Sequence, residues 1–211
     1  MKETTREILE SLVAWYPALA SEKTNIQSAY QVLADCFESG HRLYICGNGG
    51  SAADSEHIAG ELLKSFKKCR PLPEKLTKAL AEYEDGEALI AGLEGGLPVV
   101  SLCGHFAFST AYLNDKDPAF IFAQQVNAYG EKGDVLLTLS TSGNSKNCVY
   151  AAMVAQALEM GTVALVGGNG GKLKMLADVT VVVPEKETYK VQEYHLPIYH
   201  CLCAMLEEEF F

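Results

Sequence analysis

Leu43-Tyr44-Ile45-Cys46-Gly47-Asn48-Gly49-Gly50-Ser51-Ala52 is the stretch on which the reading of this chain turns. A short apolar run leads straight into a glycine-rich turn, and the residues from Ala53 to Glu61 then follow a helical pattern. Strand, tight loop and helix in that order open a βαβ unit. Similar β-rich runs recur at 97–102, 135–139, 163–166 and 179–183, each beside a helical pattern. Near-continuous apolar strands are what a sheet covered on both faces demands, and their alternation with helices calls for parallel crossovers. The expected fold is therefore α/β: a five-stranded parallel sheet, doubly wound by helices in the flavodoxin-like manner.

Outside that unit, residues 3–17 and 24–38 place apolar side chains three and four apart (Ile8, Leu9, Leu12; Ile26, Ala29, Tyr30, Leu33) and read as two amphipathic N-terminal helices, the second ended by Gly40. A last helix is expected over about 188–207. Residues 73–95 are helix-like yet lie between the first two strands, and so read as an inserted helical hairpin. A lid, a subunit contact and a plain decoration all suit it.

Composition narrows the functional classes. The chain has 211 residues, 48% of them hydrophobic and 21% charged, with 18 Gly and 7 Pro, which suits one full-sized globular domain and excludes disorder or low-complexity arrays. Seventeen basic against 27 acidic residues leave a net charge of −10, which disfavours nucleic acid and anionic membranes as partners. Charge interrupts every apolar run before it reaches signal-peptide or membrane-spanning length, so a cytoplasmic location is expected. The 7 cysteines are odd in number and scattered through apolar stretches, so they read as reduced core thiols. Cys201-Leu202-Cys203 lacks the second half that a thiolate zinc site needs.

The first loop places free backbone N–H groups, the Asn48 side chain and the Ser51 hydroxyl at a helix N-terminus, on the carboxyl edge of a parallel sheet. Unpaired donors and the helix dipole both favour an anion there, and phosphate is the natural guest. Gly47-x-Gly49-x-x-Ala52 also matches the dinucleotide fingerprint, but that motif needs an acidic residue about 20 positions on, where this chain has Lys67-Lys68-Cys69-Arg70. No nucleotide cofactor is expected. Gly167–Lys172 imitates a P-loop, but with one residue too few between its outer glycines and Leu173 where a metal-binding hydroxyl belongs. A second hydroxyl-rich loop, Ser140-Thr141-Ser142-Gly143-Asn144-Ser145, follows the third strand. Either loop alone suits an ordinary turn or cap; two at neighbouring strand ends can enclose one phosphate.

On the helix after the first loop, His57 and Glu61 are four residues apart and share a face, which suits a proton path or a metal. Gln192 and His200 are eight apart, about 80° and ~12 Å on a straight helix, which strains joint binding of one metal. His195 reads as a supporting or buried histidine.

The stretches CGNGGSAADSEHIAGEL (46–62), LNDKDPAFIFAQQV (113–126), GDVLLTLSTSGNS (133–145) and VQEYHLPIYH (191–200) together resemble the SIS family of phosphosugar-binding proteins. The resemblance implies one SIS domain over 1–211, including the helices within 3–38 and the insert at 73–95. It implies aldose–ketose isomerisation of a phosphorylated ketose, sedoheptulose 7-phosphate, through an enediol. Non-catalytic adaptors, phosphosugar sensors and isomerases of other sugar phosphates are the alternatives in the family. The resemblance further implies phosphate contacts from Gly49, Gly50, Ser51, Ser140, Thr141, Ser142 and Ser145. Asn48, Asp115 and Gln192 fall near the substrate, with Glu61 and His200 as the acid/base pair. A zinc ion on His57, Glu61, Gln192 and His200, and a homotetramer, are implied in the same way. The family usually follows its active-site helix with Gly-Arg and an aromatic residue; here Leu63-Lys64-Ser65-Phe66 stands instead, with Lys64, Lys67 or Arg70 as candidates to replace the missing cation.

Overall fold

Pro17 stops the first helix early. In this computed structural model, which describes residues 1–211, α1 spans Glu3–Trp15 and Tyr16 turns out of helical geometry (φ −125°, ψ 72°), as a residue before proline tends to. A 3₁₀ turn over Pro17–Glu22 leads into α2 (Lys23–Glu38). Gly40 follows with φ +79° and returns the chain to the sheet.

The strands are β1 (Leu43–Gly47), β2 (Val99–Ser101), β3 (Val135–Ser140), β4 (Gly161–Val166) and β5 (Val179–Val182). They form one all-parallel sheet in the order β2-β1-β3-β4-β5. β2 is shorter than its apolar run because Pro98 has no N–H for the ladder; its carbonyl still accepts from Leu43 N.

The remaining helices are α3 (Gly50–Leu63), α4 (Glu74–Leu80), α5 (Gly86–Gly92), α6 (Phe106–Asp115), α7 (Ile121–Tyr129), α8 (Lys146–Ala157), α9 (Leu173–Leu176) and α10 (Thr188–Phe210). Strand side chains alternate between two cores. Leu43, Ile45, Val135, Leu137, Leu139, Val163 and Leu165 pack with α1, α2, α3 and α10. Tyr44, Cys46, Leu136, Ala164 and Val166 pack with α7 and α8 on the opposite face. No helix is long and apolar enough to cross a membrane.

Two features place the site. The strand order reverses between β1 and β3, which opens a crevice at their carboxyl ends. Alongside, α3 and α10 run in the same direction: Gln192 sits against Gly50, His200 against His57, and Glu207 against the segment from Phe66 to Arg70. α10 continues through Pro197, which donates no backbone hydrogen bond. The insert forms the short helices α4 and α5. It is tied back beside the end of α3 by Glu94, which accepts from Ser65 N and Oγ, and by Gly95 N donating to Arg70 O.

Candidate active site

Gly49 holds φ +57°, a conformation side chains rarely adopt, and so turns the chain from β1 into α3 within two residues. The residue before α3 and the residue before α8 supply no side-chain cap. Ser51 N and Ala52 N pair with the Asn48 and Gly49 carbonyls and Cys148 N with Asn147 Oδ1, which leaves the N–H groups of Gly50, Lys146 and Asn147 open to an anion. The two loops are joined across the crevice by a reciprocal amide pair: Asn48 Nδ2 donates to Asn147 Oδ1 (2.9 Å) and Asn147 Nδ2 to Asn48 Oδ1 (2.8 Å). Asn48 is thus held at the loop junction. Ser51 and Ser140 are buried at the crevice floor, and the Ser140 hydroxyl donates to Ser145 Oγ at 3.0 Å. Ser142 lies exposed above them, with Thr141 and Ser145 half-buried.

The Gly167–Lys172 loop braces the second loop from behind. Gly167 N donates to Thr141 O (3.0 Å), Lys172 N to Asn144 Oδ1 (3.1 Å) and Leu173 N to Gly143 O (3.0 Å). Its glycines serve this contact: a Cβ on Gly143, already at φ +65°, would collide with the Gly170 carbonyl. Both the brace and Asn147 are invisible to motif reading. Only the run of glycines marks the brace.

Further down α3, His57 Nε2 lies 3.2 Å from Glu61 Oε1 and 3.5 Å from His200 Nε2. His57 Nδ1 meets the Tyr199 hydroxyl at 3.0 Å, and that hydroxyl reaches Asp54 Oδ1 at 3.2 Å. Lys64 Nζ stands 3.4 Å from Glu61 Oε2. Burial, with the neighbouring His57, holds the His200 pKa below that of a free histidine against the opposing pull of Glu61. Burial raises the carboxyl of Asp54, although the Tyr199 hydrogen bond and His57 act in the other direction. Asp54 and Tyr199 went unmarked in the sequence. Their signal is spacing: Asp54 lies one turn before His57, and Tyr199 precedes His200.

The other expected residues fall in separate places. Gln192 rests on Gly50 at the start of α3, about two turns from His200, so within one chain it does not share a centre with that histidine. Asp115 ends α6; its carboxylate accepts from Asn114 Nδ2 (2.9 Å), with no hydrogen bond to either loop or to the histidines. Arg70 does not replace the missing cation: it is buried, pairing with Glu207 at 2.8 Å and donating to the carbonyls of Leu62 and Glu61. His195 is fully buried, pushed down to about 4 by burial.

His57, Glu61 and His200 bring two imidazole nitrogens and a carboxylate oxygen together. A tetrahedral zinc with bonds of about 2.0–2.1 Å would space its ligand atoms by about 3.3 Å, so the two measured separations suit its edges. Imidazole and carboxylate are donor types that zinc accepts, but within this set Glu61 and His200 each approach only His57, and the three do not close into a group of three ligands around one ion.

A loop-lined crevice at the switch point of a doubly wound sheet, with His57 and Glu61 on α3 meeting His200 on α10 beside it, is the usual ligand-binding place of a doubly wound α/β protein. The chain belongs to the SIS domain family, which it matches over residues 9–91 and 97–167. It is 37% identical to a phosphoheptose isomerase of Leptospira biflexa over 205 residues, 97% of this chain and 94% of that one. It is 34% identical to one from Akkermansia muciniphila, over 100% of this chain and 99% of that one. The solved phosphoheptose isomerase of Neisseria gonorrhoeae superposes with a TM-score of 0.74 at 29% identity, covering 97% of each chain. The one from Francisella tularensis gives 0.73 at 29%, over 99% of this chain and 100% of that one.

Proposed function

We propose that this chain is an aldose–ketose isomerase that converts sedoheptulose 7-phosphate to D-glycero-D-manno-heptose 7-phosphate. The observation that carries this reading is the meeting of His200, on α10, with His57 and Glu61 on α3, the helix that begins at the crevice. The relatives named for this activity support it at full length.

The loop amides and hydroxyls anchor the phosphate, which leaves C1 and C2 at the deeper end. Glu61 takes the carbon-bound proton from one carbon and returns it to the other through an enediol, while His200, neutral near pH 7, serves the oxygens. Zinc held by His57, Glu61 and His200 would supply Lewis-acid polarisation of the substrate oxygens. We place Gln192 with the substrate rather than with the metal. A homotetramer agrees with α6, which buries no residue of its own yet presents Phe106 at 79% exposure and Leu113 at 50%. A reducing, cytoplasmic setting agrees with seven unpaired cysteines.

NMR of the zinc-supplied protein with sedoheptulose 7-phosphate in D₂O tests the reading. An aldose product with deuterium at carbon is expected. Binding without product or exchange would overturn it in favour of a sensor or adaptor.

A further inference from the structure

The amide pair that joins the two loops has a fixed direction. Asn147 Oδ1 accepts from the Cys148 backbone N–H at 3.0 Å and from Asn48 Nδ2 at 2.9 Å, while Asn147 Nδ2 donates to Asn48 Oδ1 at 2.8 Å. Exchanging oxygen and nitrogen on both amides would keep the pair reciprocal, but would set Asn147 Nδ2 against the Cys148 N–H, donor facing donor. The one gain from that exchange, a Cys148 thiol donating to Asn48 at 3.6 Å, is weak. The backbone N–H of Cys148 therefore decides the orientation of both side chains.

What each amide has left over then differs. Asn48 Nδ2 has two protons and two acceptors, Asn147 Oδ1 and Cys148 Sγ, so only a lone pair on its oxygen is spare. Asn147 Oδ1 already accepts twice, so only one proton on its nitrogen is spare. Asn48 is exposed and Asn147 half-buried, which leaves both spare sites open to a ligand. A carbonyl lone pair repels phosphate and suits a hydroxyl. A spare N–H suits phosphate, as do the open N–H groups of Gly50, Lys146 and Asn147.

We propose that Asn147 is a positioning residue: it holds Asn48 with its carbonyl oxygen free to accept from a substrate hydroxyl, and keeps the Asn48 N–H groups off the phosphate. The hydroxyl belongs to the sugar on the isomerase reading, and the kinetic consequence rests on that reading. The amide orientation does not.

Two measurements on the whole protein test this. Kinetics of Asn48→Ala, Asn147→Ala and the double variant should be non-additive: each single change lowers kcat/KM for the sugar phosphate roughly tenfold, and the second adds less than about threefold. Full additivity overturns the proposal, because Asn147 would then act independently of Asn48. Should Asn147→Ala fail to fold, Asn147→Ser, too short to reach Asn48, takes its place. Calorimetry with inorganic phosphate reads the other half. Asn48→Ala should bind it within about twofold of the unaltered protein. A loss of roughly tenfold would place the Asn48 N–H groups on the phosphate and overturn the proposal. Sugar phosphate bound without turnover overturns the isomerase reading alone; the same cycle measured in Kd then supports the proposal if non-additive and overturns it if additive. Binding of neither ligand overturns both.

Discussion

Arg70 Nε and Glu207 Oε1 meet at 2.8 Å with side-chain exposures of 0% and 1%. The carboxylate also accepts from the N–H groups of Phe66, Lys67 and Lys68, and the guanidinium spends its other donors on Leu62 O and Glu61 O. Burial raises the Glu207 pKa, but the N–H groups of Phe66 and Lys67 and the Arg70 side chain outweigh it and bring the carboxyl below its ordinary value. The pair thus fastens α10 to the end of α3, at the backbone of Glu61 itself. Glu207→Gln or Arg70→Met leaves one charge buried alone and should cost about 3–5 kcal/mol in urea unfolding at pH 7. A loss below about 1 kcal/mol would show the pair to be dispensable, and the double variant should lose less than either single one.

His195 makes stability sensitive to acid. Burial lowers its pKa from 6.5 to about 4, so between those values the unfolded chain binds a proton that the folded chain refuses. Stability should fall as pH drops through this window, by about 1.4 kcal/mol per pH unit from this residue at most. Urea midpoints at pH 7.0 and 5.0 for the unaltered chain and for His195→Leu measure it. Equal pH slopes in the two proteins would count against the assignment.

Glu61→Gln and His200→Asn should each lower turnover by about 10²–10⁴-fold while leaving the circular dichroism spectrum unchanged. Near-normal activity in either variant would remove that residue from the chemistry.

Gly143→Ala tests the brace behind the phosphate. Its Cβ would collide with the Gly170 carbonyl at a backbone angle of φ +65°, which displaces the second loop. KM for the sugar phosphate should rise on the order of tenfold, more than kcat falls. An unchanged KM would mean that the loop does not hold phosphate.

His57→Asn should abolish stoichiometric zinc uptake, read by mass spectrometry of the metal after dialysis. Retained zinc would place the metal elsewhere.

Much of the fold was legible because its signals are local. Near-continuous apolar runs, the helical patterns beside them and the turn after Cys46 are each read within a short window, and the expected strands and helices form with small shifts at Pro17 and Pro98. Long-range pairing was not. Arg70 stands with Lys64 and Lys67 as a candidate for the missing cation, since nothing nearby reveals that it meets a carboxylate 137 residues away. Nor does the Glu207-Glu208-Glu209 run show in its sequence that each member has its own partner: Arg70, then Lys68 and Thr4, then Tyr30 and Thr5. The two glycine- and hydroxyl-rich loops could be placed in the sequence, but the meeting of Tyr199 with Asp54 and His57 depends on how α10 is aligned against α3.

That alignment also acts as a gauge of length. Gly50 at the anion end and His57 at the chemical end are seven residues apart on one helix, roughly 10 Å at about 1.5 Å per residue. On the proposed reading, a sugar phosphate would be selected by how many carbons separate its anion from its carbonyl. One residue inserted between Ser55 and His57 would shift the chemical end by about 1.5 Å and turn it by about 100°. Such a change would turn His57 and Glu61 away from His200 while leaving the turn at Gly49 in place.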